Sequence, residues 1–292
     1  MKLFYILAKK KIAEEFSKKT NFKLQKAKIA KFLDGDIYVQ LSQKIKGESC
    51  IILGGTEKDQ LLETSFLAHT LKKEGAKKII AILPYMAYSR QDRDIKGKSM
   101  GIKIVGDILR VSGIDKVITI DLHSKECIKN FSIPLITINP YKYFIKYITI
   151  NNENEISLVS PDYGAIDNVK NFKNALNKKN NIPIFYIKKK RTDKDIMIIK
   201  SHGVVLKDVI LVDDILNSGD TIIKAVREVK KRGAKNITIV VTHALFTGNK
   251  WKKLWNLGVK KILCTDSVGK RQNDKRIIYI KSSEIINDNF NK

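Results

Sequence analysis

Two stretches of this chain repeat each other at a fixed interval, and that repeat limits the folds open to it. "KKEGAKKIIAILPYMAYS", Lys72 to Ser89, lines up with "KKRGAKNITIVVTHALFT", Lys230 to Thr247, so that Gly75 falls on Gly233, 158 residues later. Without a gap, the same offset carries "CIILGGTE" (Cys50 to Glu57) onto "DVILVDDI" (Asp208 to Ile215). Such a repeat implies two similar halves. Short runs rich in Ile and Val ("SCIIL", "KIIAIL", "KVITI", "ISLVS", "IPIFYI", "DVILV", "NITIVV", "KILCT") read as buried strands. Amphipathic segments such as "LLETSFLAHTLKKEG" and "DTIIKAVREVKKRG" lie between several of them, each ending on a glycine that stops a helix. The alternation predicts an α/β protein of two tandem domains, each a mainly parallel sheet flanked by helices. A polar, Asn-rich window from Pro140 to Asn154 sets the boundary, with domains over 1–142 and 143–292.

Composition excludes several classes. At 43% hydrophobic residues, the 292-residue chain can bury two cores. No apolar run approaches the length of a transmembrane helix, so no membrane partner is expected. The start, "MKLFYILAKKKIAEEF", lacks a small-residue cleavage site and reads as a strand followed by a helix. Cys50, Cys127 and Cys264 have neither metal spacing nor disulfide pairing, which suits a reducing, cytoplasmic setting. The net charge of +26 invites a nucleic-acid reading. Yet only eight of the 56 basic residues are Arg, and the Lys residues are spread along the whole chain. Base readout leans on Arg forks, so no specific nucleic-acid partner is expected.

Chemistry concentrates in "VILVDDILNSGDTIIKA", Val209 to Ala225. Adjacent carboxylates at the end of an apolar strand are unfavourable unless a cation or hydroxyl groups meet them. In open α/β sheets, ligands bind beyond the carboxyl ends of the strands, where Asp213 and Asp214 would stand. The small residues from Asn217 to Thr221 then let backbone N–H groups converge at a helix N-terminus, a phosphate site. Ser218 and Thr221 add hydroxyls. The two carboxylates would accept hydrogen bonds from vicinal hydroxyls or sit near a hydrated Mg²⁺. The plainer reading is an acidic strand end with Asp220 or Ser218 capping the helix.

"VILVDDILNSGDT" resembles the loop that binds phosphoribosyl diphosphate in the phosphoribosyltransferase fold. Two departures stand out: Asp220, where Gly is more usual, and Asn217, where an acid is common. "KFLDGDIYVQL", "LPYMAYSRQDRD", "TIDLHSKECIKNFSIPL", "SPDYGAI" and "THALFTG" extend the resemblance, in family order, to ribose-phosphate pyrophosphokinase. That family has two tandem phosphoribosyltransferase-like domains and makes phosphoribosyl diphosphate from ATP and ribose 5-phosphate, releasing AMP.

The resemblance implies roles residue by residue. Asp213, Asp214, Asn217, Ser218, Gly219, Asp220 and Thr221 hold ribose 5-phosphate. Arg90 and Gln91 of "RQDR" bind ATP. His123 and Asp162 hold Mg²⁺, the implied cofactor. Lys189 and Arg191, a Lys-x-Arg pair on a mobile loop, neutralise the transferred group; the repetitive run keeps Lys188 and Lys190 as neighbouring candidates. Phe32, Asp34 and Asp36 of "FLDGD" form a turn that reaches a neighbouring subunit's ATP site, with Asp36 where Glu is usual. A homo-oligomer with a shared ATP site follows. His69, His202 and His243 read as structural or neutral, with His243 the nearest rival because it lies inside "THALFTG". Alternatives are a transferase that consumes phosphoribosyl diphosphate, or a silent subunit regulating a true synthetase. The tail after Asp266 carries no legible chemistry.

Overall fold

The computed structural model describes residues 1–148, 156–176, 182–191, 196–269 and 271–290, with backbone alone at 189–191 and 196–200. The chain divides into two compact units, Met1–Asn139 with Lys281–Lys292, and Pro140–Ile280. This division differs from the expected domains in two respects. It falls three residues earlier, and it returns the last twelve residues to the first unit.

The first unit runs β1 (Lys2–Tyr5), α1 (Lys10–Lys19), β2 (Lys23–Leu24), β3 (Lys28–Lys31), β4 (Ile37–Gln40), β5 (Ser49–Leu53), α2 (Asp59–Lys73), β6 (Lys78–Leu83), α3 (Gly101–Val111), β7 (Lys116–Ile120), α4 (Glu126–Lys129) and β8 (Leu135–Ile138). Six strands form a parallel sheet in the order β2-β1-β5-β6-β7-β8, while β3 and β4 make a separate antiparallel hairpin. The second unit runs α5 (Tyr141–Ile145), β9 (Ile156–Ser160), α6 (Ile166–Ala175), β10 (Ile184–Arg191), β11 (Ile196–His202), β12 (Asp208–Leu216), α7 (Asp220–Lys231), β13 (Asn236–Ala244), α8 (Lys253–Asn256), β14 (Val259–Thr265) and β15 (Ile277–Ile280). Its sheet order is β11-β10-β9-β12-β13-β14-β15, parallel throughout except for the edge strand β11.

The two orders match strand for strand once β11 is set aside, and this is the sequence repeat seen in space. β5 and β6 correspond to β12 and β13. α2 and α7 end alike. Gly75 (φ 86°) and Gly233 (φ 96°) donate to Lys72 O and Lys230 O, each at 3.0 Å. Ala76 and Ala234 donate to Leu71 O and Val229 O at 3.0 and 3.1 Å. Each pair of bonds caps carbonyls that would otherwise be orphaned at the helix end. α7 buries Ile222, Ile223, Val226 and Val229 at helical spacing, and each such side chain contributes about 1.5–3 kcal/mol. In each unit the chain leaves the central strand toward one edge, then returns on the other side. The switch points therefore lie between β1 and β5 and between β9 and β12.

The tail completes both units. β15 pairs with β14. The last helix, α9 (Ser282–Phe290), packs Phe290 on Phe16 and Phe22 at 5.6 and 5.3 Å between ring centres. Ser283 also donates to Glu15 at 2.8 Å. Among the described residues no helix is long and apolar enough to cross a membrane.

Candidate active site

The switch point of the second unit is acidic. Asp213 and Asp214 stand near the end of β12 and are only 8% and 5% exposed. Asp214 N–H donates to Asp213 Oδ1 at 3.0 Å. Burial, then the charges of Asp214 and of Asp162 beyond β9, push the Asp213 carboxyl well above its ordinary range. Asp162 also caps the turn Tyr163–Ala165, accepting from Ala165 N–H at 3.0 Å. The sequence-predicted trio Asp162, Asp213 and Asp214 is therefore one electrostatic cluster.

The loop after β12 is a fixed turn. Gly219 holds φ 92° at the N-cap of α7, where it has no side chain to cap the helix. The first helical bond to the cap is Ile223 N–H to Gly219 O at 2.8 Å, so the 219–222 segment forms the helix N-terminus. A Cβ on Gly219 would lie 2.9 Å from Trp251 Cα. The turn thus needs glycine twice, for its backbone angle and for its neighbour. Leu245 and Thr247 donate to Leu216 O and Asn217 O at 2.8 and 3.2 Å, lacing the loops after β12 and β13 together. Ser218 Oγ donates to Asp220 Oδ2 at 2.7 Å, and Lys250 forms an ion pair with Asp220. Those two contacts, Lys250 first, hold the Asp220 carboxyl below its ordinary range. Asn217 Oδ1 is buried with no partner among the described residues, an acceptor awaiting a donor.

The equivalent turn in the first unit is filled by the protein itself. Thr64 Oγ1 bonds Gly55 N–H and O, both at 3.1 Å, and Thr56 Oγ1 bonds Tyr85 O and Ala87 N–H. Buried Lys9 reaches Glu57 at 3.3 Å. The groups expected to bind ATP and metal in this unit lie instead on the loops after β6 and β7. Each contains a strained residue, Tyr88 at φ 65° and Asp121 at φ 47°, a conformation that costs about 1–3 kcal/mol. Arg90, Gln91 and His123 are exposed on these loops. Buried Asp92 latches them together, accepting from Ser124 Oγ, while Asn130 Nδ2 donates to Asp92 O at 2.9 Å. The sequence reading passed over Asp92, a buried acid inside a motif noted for its arginines.

The β3–β4 hairpin projects its tip. Phe32 and Leu33 are 59% and 110% exposed, and Phe32 leans on Tyr38 at 4.8 Å. Asp34 Oδ1 accepts from Asp36 N–H at 3.1 Å, closing the expected turn around Gly35 at φ 96°. Lys189 and Arg191 differ from expectation. Their backbone lies on β10, paired with Ile198 and Ile196 of β11, rather than in a loop. Their side chains fall outside the described residues. His123 belongs to the first unit and Asp162 to the second. Among the described residues no group of three or more His, Cys, Asp or Glu is placed to hold a metal. Mg²⁺ keeps most of its waters and asks for one or two carboxylates plus phosphate oxygens, and the Asp162 carboxylate is a donor of that kind. His243 Nδ1 lies 2.7 Å from Ser267 Oγ within the core, and His202 stacks on Tyr186.

Comparisons with known proteins cover nearly the whole chain. A family model for the N-terminal domain of ribose phosphate pyrophosphokinase matches residues 1–113, and one for the phosphoribosyl transferase domain matches residues 141–271. A ribose-phosphate pyrophosphokinase of Saccharolobus solfataricus is 33% identical, over 94% of this chain and 95% of that protein. One of Vibrio cholerae is 30% identical, over 92% and 87%. The crystal structure of phosphoribosylpyrophosphate synthetase from Mycobacterium smegmatis shares the fold at a TM-score of 0.89, covering 99% of this chain and 97% of that one at 24% identity.

Proposed function

The chain belongs to the ribose-phosphate pyrophosphokinase family and carries that activity, and we propose that its second unit holds ribose 5-phosphate while its first unit supplies the ATP-binding loops. The observation that carries this division is the asymmetry of the repeat. One switch point keeps a buried acid cluster and a glycine turn, and the other is plugged by Thr56, Thr64 and the Lys9–Glu57 pair. The 5-phosphate accepts from the N–H groups of the 218–221 turn, from the Thr221 hydroxyl, and from the Ser218 hydroxyl once it turns from Asp220 to the phosphate, helped by the partial positive charge of the helix N-terminus. Asp213 and Asp214 accept from the ribose hydroxyls, and Asn217 Oδ1 offers one further acceptor. These contacts aim the C1 hydroxyl.

The C1 oxygen attacks the β-phosphorus of ATP, the bond from that phosphorus to the α,β-bridging oxygen breaks, and AMP leaves with that oxygen. Arg90 and Gln91 hold the ATP. Lys189 and Arg191 neutralise charge on the transferred group, and positioning and electrostatics carry most of the rate in such reactions. His123 and Asp162 would hold Mg²⁺, which supplies charge neutralisation for the ATP phosphates. The exposed Phe32 of the hairpin, with Asp34 and Asp36, reaches the ATP site of a second copy, making the enzyme a homo-oligomer. The cytoplasm suits its substrates and its three free thiols.

A phosphorus NMR time course with ATP, ribose 5-phosphate and Mg²⁺ tests the reaction. AMP should appear together with a diphosphate on ribose C1. ATP hydrolysis to ADP and phosphate alone, with no ribosyl diphosphate, would contradict the reading.

A further inference from the structure

The turn given above to the 5-phosphate carries a negative charge of its own. Asp220 is the first residue of α7, and its carboxyl is held in the ionised form by its neighbours. A carboxylate a few ångströms from a phosphate dianion weakens binding about five-fold or more, even with water between. The structure places a cation against it. Lys250 pairs with Asp220 across two loops, and the next residue, Trp251, is what seats it there. The Trp251 backbone lies against Gly219, its Nε1 donates to Gly248 O at 3.1 Å, and its ring packs on Phe246 at 4.5 Å. A buried indole therefore fixes the stem from which a half-exposed ammonium extends over the turn.

Resting on the assignment of this loop to ribose 5-phosphate, we infer that Lys250 is a further substrate-binding determinant, whose pairing with Asp220 offsets the acid and lets the turn accept a sugar 5-phosphate. The sequence reading stopped at "THALFTG", two residues short of it.

The experiment is a double-mutant cycle on the whole enzyme. KM for ribose 5-phosphate, KM for ATP, kcat and Tm are measured for Lys250→Ala, Lys250→Arg, Asp220→Asn and the Asp220→Asn/Lys250→Ala pair, with Gly219→Ala alongside. Lys250→Ala raises KM for ribose 5-phosphate about five- to ten-fold and leaves KM for ATP within about two-fold. Lys250→Arg stays near wild type. Asp220→Asn lowers KM for ribose 5-phosphate, and the double variant recovers most of what Lys250→Ala lost. An unchanged KM in Lys250→Ala, whether or not its Tm falls, overturns the inference, as does a loss that Asp220→Asn fails to recover. Gly219→Ala separates the two levels. If it raises KM for ribose 5-phosphate while Lys250→Ala does not, only the role of Lys250 fails. If it too leaves KM unchanged, the loop assignment fails first.

Discussion

Gly219→Ala tests the turn at the centre of the proposed site, and the structure fixes its expected size. Alanine at φ 92° meets the left-handed penalty of about 1–2 kcal/mol. Its Cβ would also lie 2.9 Å from Trp251 Cα and 3.1 Å from Trp251 Cβ. The first is a backbone atom that cannot rotate aside, so the turn or the segment after β13 must shift, at about 1–3 kcal/mol. The sum is about 2–5 kcal/mol of lost stability. Gly233→Ala is the matched control. Its φ is 96°, and nothing lies within 4 Å of the added Cβ, so it meets only the backbone penalty of about 1–2 kcal/mol. The assay is urea unfolding followed by intrinsic fluorescence. Both tryptophans, Trp251 and Trp255, lie in the second unit, the first of them on the turn itself. The midpoint should fall further for Gly219→Ala than for Gly233→Ala, and only Gly219→Ala should raise KM for ribose 5-phosphate. Equal midpoints would refute the reasoning about Trp251. A fallen midpoint with an unchanged KM would refute the turn as a phosphate cradle.

Three further perturbations follow from the same geometry. Because burial and acidic neighbours raise the Asp213 pKa in the folded state, the native protein holds this proton above the pH at which the unfolded chain releases it. Its contribution to stability is therefore lost as pH rises through the folded pKa. Asp213→Asn should raise Tm most at alkaline pH, by about 1–2 kcal/mol in stability, and converge with wild type toward pH 4; a gap independent of pH would show that Asp213 does not titrate differently on folding. Lys189→Ala should lower kcat about 100-fold or more with Tm unchanged, and an equal loss in Lys188→Ala would shift the register of that pair. Phe32→Ala should raise KM for ATP without lowering Tm, since the ring is largely exposed; at ATP well below that KM, mixing it with Lys189→Ala should give more activity than the two variants give separately, and no gain would argue against a shared site.

Much of the fold was legible because its strands are parallel and buried on both faces, so they read as unbroken runs of Ile and Val. The 158-residue repeat survived in the sequence because both halves keep the same helix stop at Gly75 and Gly233, enforced by a positive φ. What could not be read was packing between distant segments. Nothing local in "SSEIINDNF" says that Phe290 joins Phe16 and Phe22, so the last helix was given to the wrong unit. The edge strand β11 depends on pairing with β10, which a charged run conceals. The acid pair Asp213–Asp214 announced itself because adjacent buried carboxylates are costly without a reason. Asp92 did not, because its burial follows from Ser124 and Asn130, more than thirty residues away. Lys250 was hidden by the same distance, thirty residues beyond the acid it meets.

The central claim is that one half of a duplicated fold keeps a sugar-phosphate site and the other has filled it in. A crystal structure with ribose 5-phosphate bound tests it most directly. The account predicts the phosphate within hydrogen-bonding distance of the backbone nitrogens at 218–221, the ribose hydroxyls on Asp213 and Asp214, and no sugar phosphate at 54–57. A phosphate seated on the 54–57 turn, or a ribose clear of the acid pair, would contradict it.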